Sequence, residues 1–167
     1  MILAALCPDR SADCDTVLAA LVAQLAAQGR RAAGAVQVPS EGEARIMDLR
    51  LLPSGGLLRI SQDLGPAAQG CRLDAGALEM AVAAAEAALA AGPTDLLVVN
   101  RFGRQEAEGR GFAALIGTAL EAGVPVIVGL TPRFRPPFQR FAGDLAEWLP
   151  PDPAALLDWW ARAQVAA

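Results

Sequence analysis

Short apolar runs alternate along most of the chain with stretches in which apolar residues recur every three or four positions. This alternation is typical of strands and helices that follow one another in an α/β domain. The chain begins with an apolar run, Ile2 to Leu6, and a helical stretch follows from Asp15 until Gly29. The buried face of this helix is predicted to carry Val17, Leu18, Leu21, Val22 and Leu25. A second run, AAGAVQV, completes a βαβ unit whose strands should be parallel.

The middle of the chain departs from this rhythm. Two strand-like runs, Ile46 to Leu52 and Leu57 to Ser61, flank the turn sequence PSGG. This pattern predicts an inserted β-hairpin at about residues 46–61. Asp74 is then predicted to cap a long Ala-rich helix, which Gly92 and Pro93 end.

The second half returns to alternating strands and helices. We predict a buried strand from Asp95 to Asn100 and another from Val124 to Leu130, with a helix between them that ends at Gly123. The segment TPRFRPP, Thr131 to Pro137, is predicted to be a loop because of its prolines. The remaining predicted elements are a helical piece around Phe138 to Phe141, a strand near Leu145 to Trp148 and a helix capped by Asp152.

Composition limits the classes of function. The length of 167 residues favours one domain, residues 1–167, and the net charge of −4 argues against nonspecific nucleic-acid binding. No apolar run approaches the roughly 20 residues that a membrane span needs. The first residues lack a basic segment, and the three cysteines show no CxxC spacing. We therefore expect reduced thiols in a cytoplasmic protein.

The chain contains no lysine, histidine or tyrosine. Their absence excludes a Ser/His/Asp or Cys/His nucleophile pair, a histidine-ligated metal site and a P-loop lysine. No metal site is predicted, and magnesium enters only if the protein hydrolyses nucleotides.

Three predicted loops should meet at the carboxyl edge of a parallel sheet. They are Pro8 to Asp13, Arg101 to Gly109 and Thr131 to Pro137. Guanidinium groups suit oxyanions because they donate two parallel hydrogen bonds. The alternative is that the loop arginines are solvated charges, some of them paired with glutamates. The arginines in these loops are Arg10, Arg101, Arg104, Arg133 and Arg135.

The first loop stands where a P-loop would lie. If Thr16 is aligned with the last residue of GxxxxGK[ST], Asp9, Cys14 and Asp15 replace the two glycines and the lysine. Asp13 and Asp15 are predicted to act as helix caps, and their charge opposes a phosphate there. The candidate ligand-binding residues of the chain are Asp9, Arg10, Ser11, Asp13, Thr16, Asn100, Arg101, Arg104, Gln105 and Arg133.

Two further groups could carry chemistry. Glu106 and Glu108 are the candidate catalytic residues, since they could position water or magnesium, although surface glutamates that cap the next helix are an alternative. Cys71 lies beside Arg72, which lowers a thiol's pKa, whereas a lone cysteine also suits core packing.

Three stretches carry a family resemblance: NRFGRQEAEGRGF, the hairpin MDLRLLPSGGLLRISQ and QGCRLDAGALE. Together they resemble bacterial domains of unknown function that are related to P-loop nucleoside triphosphatases and are often encoded beside molybdate-transport genes. The resemblance implies a three-layer, P-loop-NTPase-like α/β fold. Its sheet would be mainly parallel, with helices on both faces and an inserted β-hairpin.

The chain departs from active triphosphatases at the strand that should bind magnesium. Asn100 and Arg101 occupy the acidic pair, while Gly103, Arg104 and Glu106 keep the later glycine, basic and glutamate positions. The resemblance therefore implies a catalytically degenerate protein that binds an anion, either molybdate or a nucleotide phosphate, in molybdenum handling.

Two alternatives stay open. One is an active Mg-dependent nucleoside triphosphatase with a non-standard phosphate loop. The other is a protein-interaction module, including a homo-oligomer, that uses an aromatic patch. The aromatic residues considered for that patch are Phe134, Phe138, Phe141, Trp148 and Trp159.

Overall fold

The computed structural model describes residues 1–38, 46–62 and 73–166, apart from the side chains of Ser11 and Ala166. The strands in this part of the chain are β1 (Leu3–Leu6), β2 (Ala32–Val38), β3 (Asp48–Leu52), β4 (Leu57–Arg59), β5 (Leu96–Phe102), β6 (Val126–Leu130) and β7 (Ala146–Leu149). The α-helices are α1 (Ser11–Ala27), α2 (Ala75–Ala90), α3 (Arg104–Ala107), α4 (Ala113–Glu121), α5 (Arg135–Ala142) and α6 (Pro153–Ala166).

The strands form one sheet in the order β4-β3-β2-β5-β6-β1-β7. The pairs β2/β5, β5/β6, β6/β1 and β1/β7 are parallel, whereas the pairs β2/β3 and β3/β4 are antiparallel. The predicted α/β fold with a mainly parallel sheet and an added hairpin is therefore confirmed. The carboxyl ends of β5, β6 and β1 lie side by side, which brings the three predicted loops to one edge.

Alternate residues of the strands enter two cores on opposite faces of the sheet. In β1, Leu3 and Ala5 pack in the core beneath α2, α4 and α5, whereas Ala4 and Leu6 pack in the core beneath α1 and α6. Helices thus cover both faces, as the three-layer prediction requires. None of the described helices is long and apolar enough to cross a membrane.

Local signals at several elements are confirmed. The run AAGAVQV forms β2 over the predicted residues. The Asp74 side chain accepts a hydrogen bond from the backbone N–H of Ala77 at 3.0 Å, and Asp152 does the same for Ala155 at 3.0 Å. Both aspartates therefore cap helices, as predicted.

The predicted starts of two helices are wrong. Helix α1 begins at Ser11, so Asp15 lies inside the helix and does not cap it. The segment Thr131 to Pro137 is not a loop throughout, because Pro132–Phe134 forms a 3-10 turn and α5 begins at Arg135. Its prolines stand in the first turns of these helices, where a missing N–H breaks no helical hydrogen bond.

The aromatic residues considered for a docking patch divide between core and surface. Phe138 and Trp159 are fully buried, so they belong to the core. Phe141 is 40% exposed and lies 5.3 Å from the Phe102 ring, measured between centroids. Phe134 and Trp148 are partly buried, so three of the five residues considered for the patch reach the surface.

Candidate functional site

A β-bulge in β5 creates the most unusual geometry at the carboxyl edge. The strand was predicted to end at Asn100. This boundary is wrong, because β5 continues to Phe102. Val99 pairs with Val128 and Phe102 pairs with Leu130, so two residues of β5 lie opposite one residue of β6, Gly129. The extra residue lets Asn100 and Arg101 both reach α1, since a bulge changes the direction of the side chains in the bulged strand.

Asp15 of α1 receives both of these side chains. The Asn100 amide Nδ2 donates to Asp15 Oδ1 at 2.7 Å. Arg101 Nη2 donates to Oδ1 at 3.0 Å and to Oδ2 at 3.1 Å. The Asp15 side chain is 9% exposed and that of Arg101 is 33% exposed, so the ion pair lies at the border of the core. We call these three residues the Asp15 network.

The network also reaches the neighbouring strand. Asn100 Oδ1 accepts a hydrogen bond from the backbone N–H of Gln37 at 2.9 Å, just beyond the end of the β2–β5 pairing. Asn100 therefore connects β2, β5 and α1 through its two amide atoms. Both atoms are occupied, which explains how a polar residue that is only 4% exposed is accommodated.

The charges of the network are the reverse of those in a P-loop site. Where such sites have a lysine that contacts phosphates, the sequence alignment places Asp15, and where they have an acidic residue for magnesium it places Asn100 and Arg101. A guanidinium cannot ligate magnesium, and the Asn100 amide oxygen already accepts a hydrogen bond from Gln37. A carboxylate at the lysine position repels phosphate. These residues do not fit a magnesium–nucleotide complex held in the usual way. Among the described residues, no three or more acidic or thiol side chains form a group that could hold a metal ion.

The loop arginines fall into two groups. Arg10 forms an ion pair with Asp13 at 3.7 Å, and Arg104 Nε donates to Glu108 Oε1 at 2.7 Å. Arg101 is held in the Asp15 network. By contrast, Arg133 lies over the Phe134 ring, with its Cζ 4.8 Å from the ring centroid. Arg135 lies over the Trp148 ring, with its Cζ 4.6 Å from the ring centroid. The carboxyl edge thus carries both neutralised and aromatic-stacked guanidinium groups.

Glu106 occupies a buried position that suits a structural role. Its Oε2 accepts from the Gly103 N–H at 2.9 Å, and its Oε1 accepts from the Phe112 N–H at 3.2 Å. Burial raises the pKa of this carboxyl above 4.5, while the backbone hydrogen bonds act in the opposite direction. The Glu106 side chain thus links the two ends of the segment between β5 and α4 by hydrogen bonds. Its neighbour Glu108 is exposed and binds Arg104 and Arg110.

Other predicted site residues have local partners. Thr16 Oγ1 donates to the Ala12 carbonyl at 2.9 Å, and Gln105 Oε1 accepts from Arg110 Nε at 2.8 Å. The side chain of Ser11, together with Cys71 and Arg72, lies outside the described residues.

The two described cysteines face opposite sides of the sheet. Cys14 packs in the core beneath α1, and burial raises the pKa of its thiol to about 12. Cys7 packs against the other core, and burial raises its pKa as well, with Arg135 acting in the opposite direction. Neither thiol has the lowered pKa of a reactive cysteine.

Sequence reasoning missed two features of the site. Asp15 acts as the centre of a polar network instead of a cap, because the bulge in β5 brings two donors to it. Gly129 permits that arrangement, since a Cβ there would overlap with the Asn100 carbonyl oxygen and the Cys14 sulfur. A lone glycine in the buried run VIVGL was the available signal, because glycine in a strand often marks a close approach.

Glu106 is expected to make stability depend on pH. Since its pKa is raised in the folded state, folding takes up a proton at pH values between about 4.5 and the raised pKa. The free energy of unfolding should therefore fall as pH rises through this window. The variant Glu106→Gln should lack this pH dependence of the free energy of unfolding. Its free energy of unfolding at neutral pH should be lower by about 1–3 kcal/mol, because an amide nitrogen cannot accept a hydrogen bond from a backbone N–H.

Urea denaturation at several pH values measures this effect, with Glu108→Gln as the control. The pKa of Glu108 is lowered by its hydrogen bond with Arg104. Stability from that carboxylate is therefore present at neutral pH and lost as pH falls, which is the opposite sign. Identical pH profiles for the native chain and Glu106→Gln would contradict the interpretation of Glu106.

Comparison with known proteins supplies the family. A model described as "Protein of unknown function (DUF2478)" matches residues 3–159. The molybdenum import ATP-binding protein ModC 2 of Bradyrhizobium diazoefficiens is 32% identical over 151 residues, 89% of this chain. The chain spans only 17% of that relative's length.

The fold also has a counterpart among solved structures. The crystal structure of THEP1 from the hyperthermophile Aquifex aeolicus matches with a TM-score of 0.62 and 13% sequence identity, over 96% of this chain and 94% of that chain. This likeness concerns the fold alone, which is P-loop-NTPase-like. By the match over residues 3–159, the chain belongs to the DUF2478 family.

Proposed function

We propose that this domain is a catalytically degenerate, P-loop-NTPase-like protein that binds an anionic ligand in molybdenum handling. The ligand is an oxyanion such as molybdate, or the phosphate of a nucleotide. The observation that carries the proposal is the Asp15 network. It joins a carboxylate, an amide and a guanidinium, and the sequence alignment equates their positions with the lysine and the magnesium ligand that nucleotide hydrolysis needs.

The network argues against hydrolysis for an energetic reason. Asp15 already accepts hydrogen bonds from Asn100 and Arg101, and it is nearly buried. Separating this pair to admit magnesium and phosphate would leave charges at the core border without their partners. The carboxylate would also oppose the attraction of the α1 N-terminus for anions.

Anion binding is supported by the distribution of arginines. The carboxyl ends of β1, β5 and β6 are adjacent, and Arg10, Arg104 and Arg133 follow these strands. The net charge of −4 makes this concentration of arginines at one edge stand out from the composition of the chain. The name of the Bradyrhizobium relative, a molybdenum import protein, supports molybdate as the first ligand to test.

Calorimetric titration with molybdate, tungstate, inorganic phosphate and ATP tests the proposal, together with an assay of phosphate release in the presence of magnesium. We expect saturable binding of at least one of these anions and no release of phosphate above the protein-free rate. A folded native chain that binds none of them contradicts the proposed binding function.

The assay of phosphate release also tests the alternative of an active triphosphatase. Magnesium-dependent release of phosphate that persists through purification and is lost in Glu108→Gln would contradict degeneracy. Glu108 suits this test because it is exposed, so its substitution should leave the fold intact. The control Glu121→Gln removes the same charge from an exposed position at the end of α4.

A further inference from the structure

The segment from Thr131 to Phe141 concentrates positive charge in an acidic chain. It contains Arg133, Arg135 and Arg140, and the sequence has no aspartate or glutamate between Glu121 and Asp144. All three arginines are exposed. They follow β6 directly, at the carboxyl edge of the sheet.

These arginines differ from the other exposed arginines at this edge in their partners. Arg10 and Arg104 each have a carboxylate partner within 4 Å. In the described part of the chain, none of the three arginines of the 131–141 segment forms an ion pair. Their charge is therefore available to a ligand without the cost of breaking an existing pair.

Two of the guanidinium groups lie over aromatic rings. Arg135 stacks on Trp148, whose ring lies 5.7 Å from Phe138 in an edge-to-face arrangement. Arg133 stacks on Phe134. Stacking uses the flat face of a guanidinium and leaves its N–H edge for an oxyanion, and it reduces the entropy lost when a ligand binds.

Arg135 lies close to the carboxyl end of β1. Its charge acts on the thiol of Cys7, the first residue after β1. Asp9 is the carboxylate that acts on the same thiol. Arg135 lies over Trp148, which pairs with Ala5 of β1 and packs against the core beneath α5. The guanidinium thus lies beside β1 on the α5 face of the sheet, opposite the face that α1 covers.

We propose that Arg133 and Arg135 form the seat of a tetrahedral oxyanion, bound either free or as the terminal phosphate of a nucleotide. The inference rests on the proposed function. It assigns the ligand to the segment that follows β6 and not to the start of α1, where a P-loop would bind phosphate. Each guanidinium donates parallel N–H groups to the oxyanion, and Arg140 adds longer-range attraction. The Asp15 network stays closed while the ligand binds.

Calorimetric titration of Arg135→Gln and of the double variant Arg133→Gln/Arg135→Gln tests the seat. The probes are molybdate, inorganic phosphate and ATP. We expect Arg135→Gln to weaken binding about tenfold or more, and the double variant to bind no measurable anion. The matched control is Arg50→Gln, which removes the same charge from an exposed residue of the hairpin at the far side of the sheet. This control should bind within about twofold of the native chain.

The outcomes separate the two proposals. If Arg135→Gln and the double variant bind like the native chain, the seat is wrong, although the proposed anion binding stands. If the native chain binds none of the probes, the proposed function fails and the seat fails with it. Tighter binding of molybdate or phosphate than of ATP identifies a free oxyanion, and the reverse order identifies a nucleotide.

Discussion

Replacement of Gly129 by alanine is expected to destabilise the domain by about 3–5 kcal/mol. A methyl group at this position would overlap with the Asn100 carbonyl oxygen and the Cys14 sulfur, and would lie 3.1 Å from Leu18 Cδ1. The Asn100 carbonyl belongs to the backbone of the β5 bulge, so it cannot rotate away as a side chain would. The added carbon therefore forces β5 and α1 apart at the candidate site.

Urea or thermal denaturation measures this effect, and Gly117→Ala is the matched control. Gly117 lies inside α4, and a Cβ there would meet no atom within 4 Å. The control should stabilise the domain by about 0.5–1 kcal/mol, because alanine favours a helix more than glycine does. Stability of Gly129→Ala within about 1 kcal/mol of the native chain would show that the bulge geometry is incorrect.

Replacement of Asp15 by alanine should cost about 3 kcal/mol. The change leaves the Arg101 guanidinium and the Asn100 amide without their acceptor at the core border. The Arg101 side chain is one third exposed, so water can solvate part of its charge once Asp15 is removed. The loss of stability therefore lies at the lower end of the range for breaking a buried ion pair. A double variant Asp15→Ala/Arg101→Ala should lose less stability than the sum of the single variants.

Asp13→Ala separates this effect from the loss of a negative charge near the start of α1. Asp13 pairs with Arg10 at the surface, where ion pairs contribute roughly 0–1 kcal/mol. Denaturation of the two single variants under the same conditions compares them directly. Equal losses of stability for Asp13→Ala and Asp15→Ala would mean that the Asp15 network contributes nothing specific.

The spacing of apolar residues along the chain was sufficient to predict the α/β fold, because strands and helices bury different patterns of residues. The mainly apolar runs of β2 and β6 became strands that are buried over most or all of their length, and PSGG became the turn between β3 and β4. The boundaries were less predictable. β5 passes through two polar residues to Phe102, because its bulge directs Asn100 and Arg101 to a buried carboxylate that no local pattern reveals.

The candidate site was predicted as a location but not as a set of contacts. Parallel topology brings the ends of β1, β5 and β6 together, so the arginines that follow them were expected at one edge. Which arginines are neutralised depends on tertiary partners. Arg101 pairs with Asp15, 86 positions away, whereas Arg135 stacks on Trp148 of β7. Sequence spacing cannot distinguish these two arrangements.

A crystal structure of the native chain grown with tungstate would locate the bound anion, because the heavy oxyanion marks its own position. We expect tungstate between the ends of β1 and β6, within hydrogen-bonding distance of Arg133 and Arg135, with the Asp15–Arg101 pair intact. Tungstate at the start of α1 with that pair opened, or no bound tungstate at saturating concentration, would contradict this expectation.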